Sequence, residues 1–304
     1  MLCYYITLPM NTTVMKNLKL LLTIFLALVL SHPLSAKPKV VASIKPLGLI
    51  AEALLGDLAT VEVLLPNNAD PHHYTLKVSD RRQLQEADLF IWMGPEFERF
   101  LIKPLESLDN TGKLALANLE EAKNSEGRQQ ETGLTSDPHQ WLSPKYAALM
   151  SQAIANNLVA RYPQLQSSLT TRLTTQESAL EQLNQHLLIK LFPYQNFGFV
   201  ADHNAYQLLA NTYSLKQIGW VIEHADVAPS AQHLQELSDL IAAQQPECLL
   251  IEEGQKSATL SRWAERWQLQ AVTIDILGVQ TNISSYHALM DSVLESLLTC
   301  FDKS

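Results

Sequence analysis

The stretch Val61-Glu62-Val63-Leu64-Leu65-Pro66-Asn67-Asn68-Ala69-Asp70-Pro71-His72-His73-Tyr74 decides how this chain is organised. Residues 60 to 65 are mostly β-branched or aliphatic, which predicts a β-strand, and Pro66 with the polar residues after it ends that strand. Open α/β sheets bind their ligands just beyond the carboxyl ends of strands. We therefore expect His72, in the loop after this strand, to be the first of several metal ligands.

The rest of the chain repeats this alternation of short apolar strands and helices, which predicts parallel sheets flanked by helices. A long helical run from Gln164 to Lys190 separates two such halves, with Pro163 at its first position and Pro193 beyond its end. We interpret it as one rigid connector, about 40 Å long. Two shorter helices, broken around Thr174 and Thr175, are the alternative.

The predicted fold class is therefore α/β, with two lobes that are each a mostly parallel β-sheet flanked by helices. One long rigid connecting helix joins the lobes. The predicted boundaries are a signal peptide at 1–36, an N-terminal lobe at 37–162, a linking helix at 163–192 and a C-terminal lobe at 193–304.

The first 36 residues have the features of a secretory signal peptide. A basic segment beginning at Met15 precedes an apolar run from Leu20 to Leu30, and cleavage is predicted near Ala36. Either Met1 or Met15 can serve as the start. A membrane anchor is the alternative, but the apolar run is shorter than the roughly 20 residues of a spanning helix, which favours export.

Charge and cysteine content narrow the possible functions. Loss of Lys16 and Lys19 with the leader changes the formal net charge from −9 to −11, which argues against nucleic-acid binding and favours attraction of cations. Cys248 and Cys300 remain as an even pair in an exported chain, so we predict a disulfide between them. Two buried free thiols are the alternative.

Three other side chains lie in predicted loops, as His72 does, and are further candidate metal ligands. His139 comes at the end of a polar, acidic segment at 120–137, His203 follows a predicted strand at 197–200, and Asp275 follows another at 271–274. Each half contributes two of the four, so facing halves would bring them together in a cleft. A lone histidine in a loop is more often exposed to solvent than bound to metal, and this is the competing interpretation for each.

Three imidazoles with one carboxylate make a tetrahedral set that suits Zn²⁺ and disfavours Ca²⁺ and Mg²⁺. Such ligands bind metal only when deprotonated, so we expect the affinity to fall as the pH drops through the histidine range.

Several motifs together resemble one known family. They are Ser43-Ile44-Lys45-Pro46-Leu47, Val61 to Pro66, Asp70 to Tyr74, Ala87-Asp88-Leu89, Met93-Gly94-Pro95-Glu96-Phe97-Glu98, His139-Gln140-Trp141-Leu142-Ser143-Pro144 and His203-Asn204-Ala205-Tyr206. On these motifs the chain resembles the metal-binding solute-binding proteins of bacterial ABC importers, in their zinc-binding ZnuA-like branch.

The resemblance implies a periplasmic, monomeric protein that captures zinc(II) between two lobes and delivers it to a membrane permease for zinc uptake. Carried over by position, the ligands are His72, His139 and His203, with either Asp275 or water as the fourth. Manganese-selective relatives typically have Glu at the third histidine position, so His203 favours zinc. Two departures are the absence of histidine from the segment 120–137 and Pro71 where some relatives place a ligand Glu.

Other functions remain as alternatives. A manganese or iron(II) binding protein of the same family would use the same fold. A zinc hydrolase would need an open coordination position and a positioned base, and the sequence has neither an HExxH nor a GxSxG motif. We therefore predict that the protein is not an enzyme. The absence of a lipid-attachment cysteine near the predicted cleavage site argues against a surface adhesin.

Overall fold

The first half of the chain builds a four-stranded parallel sheet. The computed structural model describes residues 37–67, 69–71, 74–108, 112–117, 119, 137–222, 228–254 and 258–302, so the predicted signal peptide, His72 and residues 120–136 lie outside it. The strands are β1 (Lys39–Ala42), β2 (Thr60–Val63), β3 (Leu89–Trp92) and β4 (Gly112–Ala115), in the order β2-β1-β3-β4. β3 is buried along its whole length, as expected for a parallel strand covered on both faces.

The second half repeats the same strand order. Its strands are β5 (Gly198–His203), β6 (Lys216–Ile222), β7 (Cys248–Glu252) and β8 (Gln270–Ile274), in the order β6-β5-β7-β8 and all parallel. The two sheets define the N-terminal and C-terminal lobes, which confirms the predicted fold class.

Helices cover both sheets. In the described residues they are α1 (Lys45–Leu55), α2 (Val78–Glu86), α3 (Ile102–Glu106), α4 (Pro144–Arg161), α5 (Gln166–Leu191), α6 (Gln207–Tyr213), α7 (Ala231–Gln244), α8 (Ala258–Trp267) and α9 (Tyr286–Phe301). None of them is long and apolar enough to cross a membrane.

The long helix α5 is continuous over 26 residues, so the alternative with a break near Thr174 is wrong. The hydroxyl groups of Thr174 and Thr175 donate to backbone carbonyls four residues earlier, which keeps these side chains compatible with a helix. The helix begins at Gln166 rather than Gln164, because Pro163–Leu165 forms a 3₁₀ turn. The lobe boundaries at 162 and 192 stay predictions.

The lobes also meet through their cores. Helix α1 of the N-terminal lobe packs against α4, α5 and the last helix α9, and one cluster of buried apolar residues extends through both lobes. A disulfide joins Cys248 at the start of β7 to Cys300 in α9, the pair predicted from the sequence. These contacts fix how the carboxyl ends of the two sheets approach each other.

Candidate metal centre

The C-terminal lobe presents His203 at the end of β5. Sequence reasoning placed this histidine in a loop after a strand at 197–200, but β5 extends to His203 itself. The strand extends this far because His203 pairs with Ile222 of β6. The preceding Asp202 fixes the ring, since its Oδ1 accepts hydrogen bonds from the backbone N–H and from Nδ1 of His203, at 2.8 and 2.9 Å. With Nδ1 held by the carboxylate, Nε2 is the ring nitrogen left for a metal.

The N-terminal lobe builds the same pair from Asp137 and His139. Asp137 Oδ1 accepts from the backbone N–H and from Nδ1 of His139, both at 2.9 Å. The buried ring of His139 packs edge-on against Phe97 and tilted against Trp141. His139 is therefore fixed by hydrogen bonds on one side and by aromatic packing on the other.

The structure brings His139 and His203 together from the two lobes. Their ring centroids are 5.4 Å apart. Asp137 also reaches across, because its second oxygen accepts from the backbone N–H of Leu208 in the C-terminal lobe at 3.1 Å. The carboxylate that orients one proposed ligand thus also anchors its loop to the opposite lobe.

Glu252 is a site residue that sequence reasoning missed. It ends the buried strand β7 with its side chain nearly inaccessible, and its Oε2 lies 3.6 Å from Nε2 of His203. Asp202, His203 and Glu252 form the one group in the described residues whose potential metal-binding atoms all lie within 4.8 Å of one another. A carboxylate that closes an otherwise apolar strand, on the neighbour of the strand carrying His203, is the signal that could have revealed it.

Asp275 lies in the same neighbourhood, just after β8 as predicted. It is buried, and its two oxygens accept hydrogen bonds from the backbone N–H groups of Val279 and Gln280, both at 2.9 Å. Its loop is tied to the N-terminal lobe, because Trp141 Nε1 donates to the carbonyl of Ile276 at 2.9 Å.

His72 cannot be placed, because it lies outside the described residues. Its loop can be followed as far as Pro71, and the negative charge of Asp70 is close enough to raise the pKa of Glu252. Asp70, in the described part of this loop, therefore lies near the same group of side chains.

The site has a strongly negative electrostatic character. Burial is the main reason that the pKa of Glu252 rises to about 8, and Asp202, Asp70 and Asp275 add to it, although His203 opposes the shift. Burial disfavours the charged form of His203, but Asp202, Glu252 and Asp137 outweigh it and raise its pKa to about 9. Burial lowers the pKa of His139 despite its bond to Asp137.

The buried imidazole of His139 and the partly buried imidazole of His203, each with a carboxylate on Nδ1, lie beside a further buried carboxylate and make a set of donors that fits a divalent cation. The nitrogen donors favour zinc over calcium or magnesium. The surrounding negative charges offset the cost of burying the cation. The arrangement can hold such an ion between the lobes.

Comparison with known proteins gives a consistent result. The family described as "ZnuA: Zinc-uptake complex component A periplasmic" matches residues 40–300. The high-affinity zinc uptake system protein ZnuA of Yersinia pestis is 30% identical over 301 residues, covering 90% of this chain and 95% of that protein. Its counterpart in Haemophilus influenzae is 25% identical over 326 residues, covering 91% and 97%. A crystal structure of a ZnuA deletion mutant with zinc bound superposes with a TM-score of 0.73 at 26% identity, covering 88% of this chain and 99% of that one.

Proposed function

The chain belongs to the ZnuA family, and on this premise we propose that it captures zinc(II) in the periplasm and delivers it to the permease of a zinc-importing ABC transporter. The observation that carries the proposal is the meeting of His139 and His203, one from each lobe, with ring centroids 5.4 Å apart and each Nδ1 bonded to an aspartate. His72 is the proposed third ligand. The fourth position belongs to a carboxylate of the C-terminal lobe or to water, and Asp275 is the carboxylate that the sequence suggests.

Release of the ion follows from the same geometry. The ligands belong to different lobes, and the loops that carry them are tied across the cleft: Tyr286 donates to the carbonyl of Trp141 at 2.7 Å, and Lys45 Nζ donates to the carbonyl of Gly278 at 2.6 Å. When the protein docks on the permease and one lobe moves relative to the other, the two imidazoles separate. A shell that loses one ligand holds zinc less tightly, so the ion passes on.

The proposed role is binding and delivery of the zinc ion, not catalysis. The protein acts as an exported monomer, cleaved near Ala36, with the lobes and linking helix divided at 162 and 192. It binds the ion and the permease but no nucleic acid, in keeping with its negative charge.

The test is a competition between metals. Protein beginning at residue 37 is mixed with equal concentrations of zinc, manganese and iron(II), desalted, and analysed for bound metal. We expect one zinc per chain and no turnover in hydrolase assays of the loaded protein. His203→Glu provides the matched selectivity variant, because a carboxylate in place of imidazole favours manganese. Retention of manganese or iron by the parent, or hydrolytic turnover, would contradict the proposal.

A further inference from the structure

We propose that Glu252, and not Asp275, supplies the carboxylate that completes the zinc shell. This inference rests on the proposed zinc-binding function. It starts from position: Glu252 is 6% exposed, and its Oε2 is 3.6 Å from Nε2 of His203, on the side of the ring opposite to Asp202. Two ligands of a tetrahedral zinc ion with bonds near 2.0–2.1 Å lie roughly 3.3 Å apart. The observed distance therefore needs to change by only a few tenths of an ångström.

The two donors are also held together by the sheet. Strands β5 and β7 are parallel neighbours in which Ala201 pairs with Leu250, and His203 and Glu252 each come two residues later. Side chains two residues apart on a strand point to the same face, so both donors emerge on one side.

Asp202 fixes the pair further. One of its oxygens holds the His203 ring, and the other accepts the backbone N–H of Glu252 at 2.8 Å. One buried carboxylate thus orients both proposed ligands. Asp202 lies on Nδ1, whereas Nε2 is the ring nitrogen that faces Glu252, so Asp202 is a positioning residue rather than a ligand.

Asp275 has a different task. Each of its oxygens accepts a backbone N–H, from Val279 and from Gln280, so the carboxylate closes the turn of its own loop. Its place is beside the shell, where it shapes the loop that Trp141 holds.

The experiment compares Glu252→Gln with Asp275→Asn, since each substitution removes a charge and keeps the size of the side chain. Zinc affinity is measured by competition with a chelator, and coordination by the visible absorption of the cobalt(II)-loaded protein. We expect Glu252→Gln to weaken zinc binding at least tenfold and to alter the cobalt spectrum. Asp275→Asn should weaken zinc binding less than Glu252→Gln does and leave the cobalt spectrum as in the parent.

The opposite pattern, or a Glu252→Gln protein that matches the parent in both measurements, would overturn the inference. Failure of the parent to bind zinc would instead refute the proposed function. Thermal unfolding of the metal-free proteins checks that the variants fold. If Glu252→Gln does not fold, a crystal structure of the zinc-loaded parent decides: an oxygen of Glu252 bonded to zinc supports the inference, and an oxygen of Asp275 or only water there overturns it.

Discussion

Replacing Asp202 by asparagine should weaken zinc binding while leaving the protein folded. In the parent, Asp202 Oδ1 accepts from the backbone N–H and Nδ1 of His203, and Oδ2 accepts from the backbone N–H of Glu252. Asparagine has one side-chain oxygen where aspartate has two. Its NH₂ group must therefore either face the backbone N–H of Glu252, which is itself a donor, or face Nδ1 of His203, which moves the ring proton to Nε2. Loss of such an outer-shell carboxylate typically lowers metal affinity 10–100-fold, or about 1.4–2.7 kcal/mol.

The assay is competition for zinc against a chromophoric chelator at fixed pH. Asp239→Asn is the matched control, because Asp239 is an exposed residue of α7 and the substitution changes the net charge equally. Thermal unfolding of the metal-free protein reports whether the fold is retained. An affinity of Asp202→Asn equal to that of Asp239→Asn would refute the reasoning.

The size of the loss should also depend on pH. Although burial opposes protonation of His203, the carboxylates around it, Asp202 foremost, raise its pKa to about 9, so zinc competes with a proton at neutral pH in the parent. Removing the charge of Asp202 lowers this pKa and relieves the competition. The loss of affinity should therefore be larger at pH 9 than at pH 7, and the reverse order would contradict this account.

Three further predictions concern the scaffold. Replacing Cys248 and Cys300 by alanine opens a loop with a sequence separation of 52 and should lower the free energy of unfolding by about 4 kcal/mol in urea titrations; an unchanged midpoint would contradict this. Tyr286→Phe removes the hydrogen bond to the Trp141 carbonyl, so the free energy of unfolding should fall by about 1–2 kcal/mol and zinc affinity should fall with it. If calorimetry shows the affinity of the parent, this hydrogen bond does not contribute to the site. Burial raises the pKa of Glu98 from 4.5 to about 7, so the parent should lose on the order of 3 kcal/mol as the pH rises from about 4.5 to about 7; Glu98→Gln should flatten this dependence, and parallel curves would rule it out.

Much of the fold could be predicted because the local pattern and the tertiary structure agree. Helix α4 begins at Pro144, where proline in the first turn is a local start signal for a helix. The long helix α5 lies between Pro163 and Pro193, the two prolines from which its ends are predicted. The local pattern did not predict the end of β5, because the strand continues to His203 through its pairing with Ile222 of the neighbouring strand β6.

The site was harder to predict than the fold. His139 and His203 could be selected as candidates from their loops, but their meeting depends on how α1 packs against α5 and α9, which no spacing encodes. Asp137 and Asp202 stand close to these histidines in the sequence, but only the structure shows that they accept hydrogen bonds from Nδ1 of the two rings. The sequence did not indicate Glu252, because an acidic residue at the end of a strand is usually exposed to solvent, whereas Glu252 is buried.

Calorimetric zinc titration of the parent beside His139→Ala and His203→Ala tests the central claim most directly, with His186→Ala, at an exposed position on α5, as the control. We predict one zinc per chain in the parent and the control. Both site variants should lose at least a hundredfold in affinity, because the two lobes share a single ion. If either variant binds zinc as the parent does, the ion is not held between these two imidazoles and the account is wrong.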